Sequence, residues 1–463
     1  MNGMIRFLRQ QTWGNIALLF VALGCLLTPA VQYPLSTTFP IGGDAAAHIG
    51  IVQHLISRPI LTAQNIYHSW YPISYILFSI NAINPFVYWP IAFSWWMTLG
   101  QVITGLAIGL LSFRLFGIRA AAIGIALWGM TPIALTSFFE DATMAQLWSL
   151  PWAILFFERL AARSRKGMIL CFFLASFSHP ITGLILLVTI IITAPQLWMS
   201  TSKLDAKERL LRKIYSYSAG VAILLALGIF ATRYRIFLLS FNFESSKYLR
   251  ELFIGSFFPW AITAIYGWYH IVLLHKKNIV LITTLASFFF VSLLIAANDR
   301  LGIGFWTNRL NAYVTICIIV PASIGFARMI DMLRPKGIAL LFTGTLLASL
   351  TGSVVYDNRN IYKRNESSTI STRITHDELQ AIAWMKENIS LSANVVSSSA
   401  TRHYEWLPVL AGLSRNDIAS SPNTFLVFFT RTETVPEYIG EKPEQYHLEY
   451  INKGAAVFRI IPL

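Results

Sequence analysis

The chain has 463 residues, of which 55% are hydrophobic and only 13% charged, with a mean hydropathy of +0.57. That balance excludes a soluble protein and leaves a polytopic membrane protein with a polar appendage. The formal charge of +14 does not indicate nucleic acid, because most Lys and Arg are spread over short loops between apolar segments, where anionic lipid head groups are their partners.

Arg6 and Arg9 precede the first apolar run, which suits a retained signal-anchor helix with no clear cleavage site. A span needs roughly 17–25 apolar residues. Runs of that kind fall at about 14–34, 85–113, 120–139, 142–157, 214–231, 252–274, 279–297, 310–330 and 337–356. The 32 residues 168–199 are more than one span needs, and Ser178-His179-Pro180 interrupts them. Pro180 lacks a backbone donor and turns His179 away from helix, so this region is expected to form two short helices meeting at a tight turn. The expected total is eleven transmembrane helices. Cys25, Cys171 and Cys317 all lie inside apolar segments, so neither a disulfide framework nor a cysteine metal site is indicated.

Charge tests the count. With the N-terminus cytoplasmic, eighteen Lys and Arg fall on inner loops and seven on outer loops before residue 357. That distribution obeys the positive-inside rule only if 168–199 crosses twice. Asp44, His48, Glu140, Asp141, His179, Arg300 and Arg309 then share the non-cytoplasmic side with everything beyond about residue 357.

The first outer loop, about 35–84, carries Gly42-Gly43-Asp44 and then His48. Asp44 suits the start of a helix, and on a helix running through Leu55 it shares a face with His48 at i, i+4. Such a pair is a base with its helper, two metal ligands, or simply a capped surface helix. Residues 73–83 are too few to span and suit a second juxtamembrane helix, with Tyr67, Trp70 and Tyr71 as an interfacial belt. Beyond Asp357 the chain turns polar. Asn358–Thr372 reads as a linker and Thr375–Asn388 as an amphipathic helix with Thr375 and Glu378 as a capping box. Residues 394–398, 424–430 and 455–460 read as strands. The expected fold is thus an α-helical polytopic domain, 1–356, with a small non-cytoplasmic α/β domain, 357–463. Asn365-Glu366-Ser367 and Asn388-Ile389-Ser390 match the glycosylation acceptor pattern.

A signal-anchor helix, a long outer loop with an early Gly-Gly-Asp and a His four residues later, and two loop helices resemble the GT-C glycosyltransferase superfamily. Ser178-His179-Pro180, Asn308-Arg309 and the tail pattern resemble a branch labelled 6-pyruvoyl-tetrahydropterin synthase-related membrane proteins, although no pterin-synthase domain is evident. The resemblance implies a multi-pass membrane transferase that moves a sugar from a polyprenyl-phosphate donor to a glycan, lipid or protein acceptor. It places the catalytic acid at Asp44, with His48 beside it, and a second acidic motif at Glu140-Asp141. Glu140 and Asp141 would hold acceptor hydroxyls or a cation; His48 and His179 would orient the base or bind donor phosphate. Arg309 is the first choice for that phosphate, since guanidinium binds it bidentately, with Arg300 and Arg58 behind it. Tyr67 would stack on sugar, though the belt explains it more simply. A divalent cation, Mg or Mn, would take Asp44, Glu140 and Asp141 as ligands, yet the first loop has one Asp where metal-dependent relatives have Asp-x-Asp. The rival readings are a transporter or flippase, which calls for midplane charges, an envelope polysaccharide polymerase or ligase, and a scaffold displaying the tail domain.

The topology is testable in intact cells with a membrane-impermeant maleimide. Labelling of Lys442→Cys but not Lys207→Cys is the expected outcome, and the reverse pattern would place the tail domain in the cytoplasm.

Overall fold

The computed structural model describes residues 12–36, 40, 44–56, 72–84, 87–131, 138, 143–199, 258–276, 278–296, 307–333, 335–367, 374–397, 406–413, 423–430 and 434–461. Among the described residues the helices of the first part are α1 (Trp13–Ser36), α2 (Ala45–Ile56), α3 (Pro72–Ser79, continued by one tighter turn, Ile80–Ile83), α4 (Trp89–Phe116), α5 (Ile118–Gly129), α6 (Met144–Ala161), α7 (Arg165–Ser178), α8 (Pro180–Met199), α9 (Phe258–Leu274), α10 (Ile279–Ala296), α11 (Thr307–Met332) and α12 (Lys336–Ser367). Among the described residues, α1, α4, α10 and the greater parts of α11 and α12 are long and apolar enough to cross a membrane, whereas α2, α3 and α5 are shorter. The two loop helices and the helix pair meeting at Ser178-His179-Pro180 stand where the sequence puts them.

Two boundaries differ from expectation. Instead of reaching 139, α5 ends at Gly129, and the polar stretch after Asp357 continues α12 as helix to Ser367. Apolarity alone does not set the first end; a polar run free of Pro and Gly does not stop helix in the second. The expected span at 214–231 lies outside the described residues.

Close backbone approach sets the helix crossings. A Cβ on Gly129 would stand 2.5 Å from the Cys25 carbonyl oxygen and 2.6 Å from Leu26 Cα, so α5 lies directly on the α1 backbone. Gly267 of α9 and Gly325 of α11 likewise face each other's backbones, at Pro321 and Thr263. Small residues at crossings let membrane helices gain the van der Waals contact that burial from water would otherwise supply.

Polar groups mark one end of this bundle. Fully buried Glu158, near the end of α6, pairs with Arg114 at 3.0 Å and Arg159 at 2.9 Å. Arg119, at the start of α5, pairs with Asp331 near the end of α11 and donates to Asn15 Oδ1 at 2.8 Å. Those helix ends fall together as an alternating up-and-down path requires.

The tail comprises α13 (His376–Asn388), β1 (Asn394–Ser397), a π-helical turn (Leu407–Ala411), β2 (Thr424–Phe428), α14 (Glu437–Glu441), β3 (Tyr446–Ile451) and β4 (Ala456–Ile460). The capping box is complete: Thr375 Oγ1 accepts from the Glu378 amide at 3.3 Å, and Glu378 Oε2 accepts from the Thr375 amide at 2.7 Å. The sheet order is β1-β2-β4-β3, with β1 parallel to β2 and the other pairs antiparallel. Sequence reading misses β3, an edge strand with mixed aromatic and charged residues and an irregular register at Leu448 to Tyr450.

Gly129→Ala is expected to lower the thermal midpoint in detergent, by the equivalent of about 1–3 kcal/mol. Gly352→Ala, at a site with nothing within 4 Å of the new methyl, is the control and should hold the midpoint or raise it. Equal midpoints would contradict the α1/α5 crossing.

Candidate active site

Asp44 occupies the turn ahead of α2, and its carbonyl accepts the His48 amide at 3.0 Å, closing the first helical turn. This is the backbone role of a helix-capping position. Ala45, Ile49, Val52 and Leu55 form the buried stripe of α2, and His48 lies on the same side, only 8% exposed. Its Nδ1 is 3.0 Å from the Tyr75 hydroxyl of α3, and its ring lies 6.2 Å from that of Phe93 on α4, nearly parallel at 15°. Phe78 packs edge-on to both Trp89 and Phe93, which seats α3 against the start of α4.

The neighbour of Tyr75 makes the second link. Ser74 Oγ donates to the Ser178 carbonyl at 3.2 Å, and both side chains are fully buried. The Ser178-His179-Pro180 turn explains why that carbonyl needs a partner. The His179 amide closes α7 on the Ala175 carbonyl at 3.0 Å, and the His179 carbonyl accepts the Gly183 amide at 3.2 Å to open α8. One residue therefore ends one helix and begins the next, with Pro180 at the position where a missing N–H costs least. The last carbonyls of α7 lie outside both ladders, and α3 supplies the partner for one of them.

His179 is 9% exposed and sits in a polar cluster within the bundle. Its Nδ1 is 3.3 Å from Thr182 Oγ1 and 3.5 Å from the Tyr313 hydroxyl. Thr182 Oγ1 is also 2.5 Å from Tyr313 and 2.6 Å from Ser149 Oγ, which donates to the Gln146 carbonyl at 2.6 Å. Helices α6, α8 and α11 thus meet on hydroxyls at the level where α2 and α3 cover the bundle.

The tail domain reaches the same place. Val409, in the π-helical turn, accepts from Gln53 Nε2 of α2 at 3.5 Å, and its side chain lies 3.7 Å from the position of a Cβ on Gly50.

Of the residues singled out from sequence, Asp44, His48 and His179 are therefore gathered at the end of the bundle opposite the Glu158 ion pairs. Arg309 lies in the first turn of α11, one helical turn ahead of Tyr313; its side chain is outside the described residues. Glu140, Asp141, Arg58, Tyr67 and Arg300 are also outside them. Among the described residues no three His, Cys, Asp or Glu side chains converge on one point, so the described part of the site lacks the donor set of a metal centre. Sequence reading misses Ser74, Tyr75, Ser149, Thr182 and Tyr313. Single hydroxyl residues in apolar helices carry no periodic or motif signal, and only the fold brings them together.

No family model and no curated protein sequence matches the chain. Solved structures do. An oligosaccharyltransferase of Archaeoglobus fulgidus, in complex with zinc and sulfate, aligns with a TM-score of 0.55 over 96% of this chain and 74% of its own, at 13% identity. The oligosaccharyltransferase AglB from the same organism, with an inhibitory peptide and a dolichol-phosphate, aligns at 0.57 over 93% and 71%, at 12% identity. ArnT from Cupriavidus metallidurans, bound to undecaprenyl phosphate, aligns at 0.55 over 96% and 97%, at 11% identity. At that level of identity the likeness is one of fold. The protein is a multi-pass helical membrane protein with the fold of the GT-C glycosyltransferases.

Proposed function

We propose that the protein is a membrane glycosyltransferase that moves a sugar from a polyprenyl-phosphate donor to a hydroxyl or other nucleophile of a glycan, lipid or protein acceptor, at the outer face of the membrane. The observation that carries this reading is the pairing of a GT-C fold with an acid, Asp44, at the mouth of a loop helix tied to His179 through α3. ArnT and AglB, which share the fold, are solved with undecaprenyl phosphate and dolichol-phosphate, and the donor class follows by analogy with them.

In the proposed reaction the Asp44 carboxylate takes the proton from the acceptor hydroxyl as its oxygen bonds to the anomeric carbon. The bond from that carbon to the phosphate oxygen breaks, and the polyprenyl phosphate leaves with the electron pair. A positioned carboxylate suffices as base, and the leaving group calls for a cation. Arg309 is the residue proposed for it, supported by its backbone lying one turn ahead of Tyr313. His48, held by Tyr75 and Phe93, stands one turn from Asp44 and fixes the helix that carries it. A lipid tail that stays in the bilayer while the head group reaches the end of α2 requires no opening through the bundle.

Glu140 and Asp141 are the acids to complete a cation site with Asp44 if one forms.

Asp44→Asn at matched expression is expected to reduce lipid-linked sugar transfer in membranes by about 100-fold or more, with wild-type activity surviving chelation of divalent cations. Equal transfer by Asp44→Asn and wild type would remove the assignment. Loss on chelation, restored by Mg or Mn, would make Asp44 a ligand instead of a base.

A further inference from the structure

Helix α2 carries two packed lines rather than one. Ala45, His48, Ile49, Val52 and Leu55 make the buried stripe that meets α3 and α4. Ala46, Gly50 and Gln53 follow a second line at i, i+4 and i+7, with Ala46 buried and the other two half-buried. The tail domain meets that second line. The Val409 carbonyl lies 3.5 Å from Gln53 Nε2, and a Val409 methyl lies 3.7 Å from where a Cβ on Gly50 would stand. A methyl at position 50 would just touch Val409, and any longer side chain would press on it.

Val409 is held from its own side. The π-helical turn Leu407–Ala411 is rooted in the tail by buried Leu407 and Ala411, with Trp406 and Leu413 buried on either side of it. Helix α13 packs on the same turn. Gly412 closes it at φ 72°, in the left-handed region open to glycine. The place of α2, by contrast, is not fixed by its own ladder. It has twelve residues, about the length at which a helix in water is marginal alone, so its position comes from what packs on it. Asp44 moves with it, because its carbonyl accepts the His48 amide and opens the helix. A displacement of about 1 Å at a reacting group is enough to cost about 100-fold in rate.

We propose that the tail domain is a working part of the enzyme, with Val409 as a positioning residue that seats α2, and with it Asp44, through Gly50 and Gln53. This inference rests on the transferase reading above and gives the tail a task within it.

The test measures transfer from a radiolabelled undecaprenyl-phosphate hexose to the acceptors in membranes that carry the full chain. Gly50→Leu is expected to lower kcat about tenfold, with KM for the donor within about twofold of wild type. Adding Val409→Ala to Gly50→Leu returns the space and should recover most of the loss. A loss that the second change does not relieve would assign the effect to folding of α2 and overturn the proposal, as would a wild-type rate in Gly50→Leu. A second measurement reads the contact itself. Gly50→Cys with Val409→Cys should crosslink on mild oxidation, since Cys25, Cys171 and Cys317 are buried and do not compete. The crosslinked chain should keep wild-type transfer, because α2 is then held where it works. Activity lost on crosslinking and regained on reduction would show that the tail must leave α2 during turnover, against the proposal. If wild type moves no sugar from this donor, the donor class of the transferase reading falls and the positioning role with it, whereas a missing crosslink beside an active wild type overturns this proposal alone.

Discussion

Inside a bilayer, backbone that leaves the helical ladder must find its partners within the protein. The Ser178-His179-Pro180 turn is where this chain breaks a pair of helices, and the Ser74 hydroxyl on the Ser178 carbonyl is the bond that satisfies the break. That single contact has wide consequences, because Ser74 is next to Tyr75, and Tyr75 holds His48. The residue that closes one helix and opens the next is thereby tied to the helix carrying the acid. A turn in the membrane domain and a helix in the loop above it become one unit, held by α3. Its aromatic face, through Phe78 on Trp89 and Phe93, fixes α3 to the bundle in turn.

The two ends of the bundle solve different electrostatic problems. At one, Arg114, Glu158 and Arg159, and Arg119 with Asp331, pair charge with charge between helix ends. Removing one partner of buried Glu158 would leave an uncompensated charge, which is why such pairs resist change even where their net stabilisation is small. At the other end, below Asp44, described histidines and hydroxyls are joined by hydrogen bonds. The tail domain adds Val409 to α2, against Gly50 and Gln53.

Much of this was readable from the chain because the bilayer leaves few choices. Span length located α1, α4, α10, α11 and α12, while the asymmetry of Lys and Arg called for a turn within 168–199. Proline chemistry located that turn at His179. The capping box at Thr375 and Glu378 was legible for the same reason, since two orphan backbone donors need two acceptors at fixed spacing. The end of α5 at Gly129 is marked by Thr131-Pro132 just beyond it, a stop signal that counting apolar residues alone passes over. Edge strand β3 was missed since its exposed face and irregular register blur the alternation that betrays a strand. Asp44, His48 and His179 were found as polar exceptions in apolar surroundings. Tyr75, Thr182 and Tyr313 were not, since a hydroxyl on an apolar helix is ordinary until another hydroxyl is seen 2.5 Å away.

The account stands on one arrangement, in which the loop acid and the turn histidine serve the same sugar phosphate at the end of the bundle away from the Glu158 ion pairs. An experimental structure of the full chain with a polyprenyl-phosphate hexose bound measures that arrangement directly. The account predicts the head group beside α2 and α3, with the anomeric carbon within about 4 Å of the position an acceptor oxygen takes when hydrogen-bonded to Asp44. A head group seated among Arg114, Arg119 and Arg159 at the opposite end would contradict it.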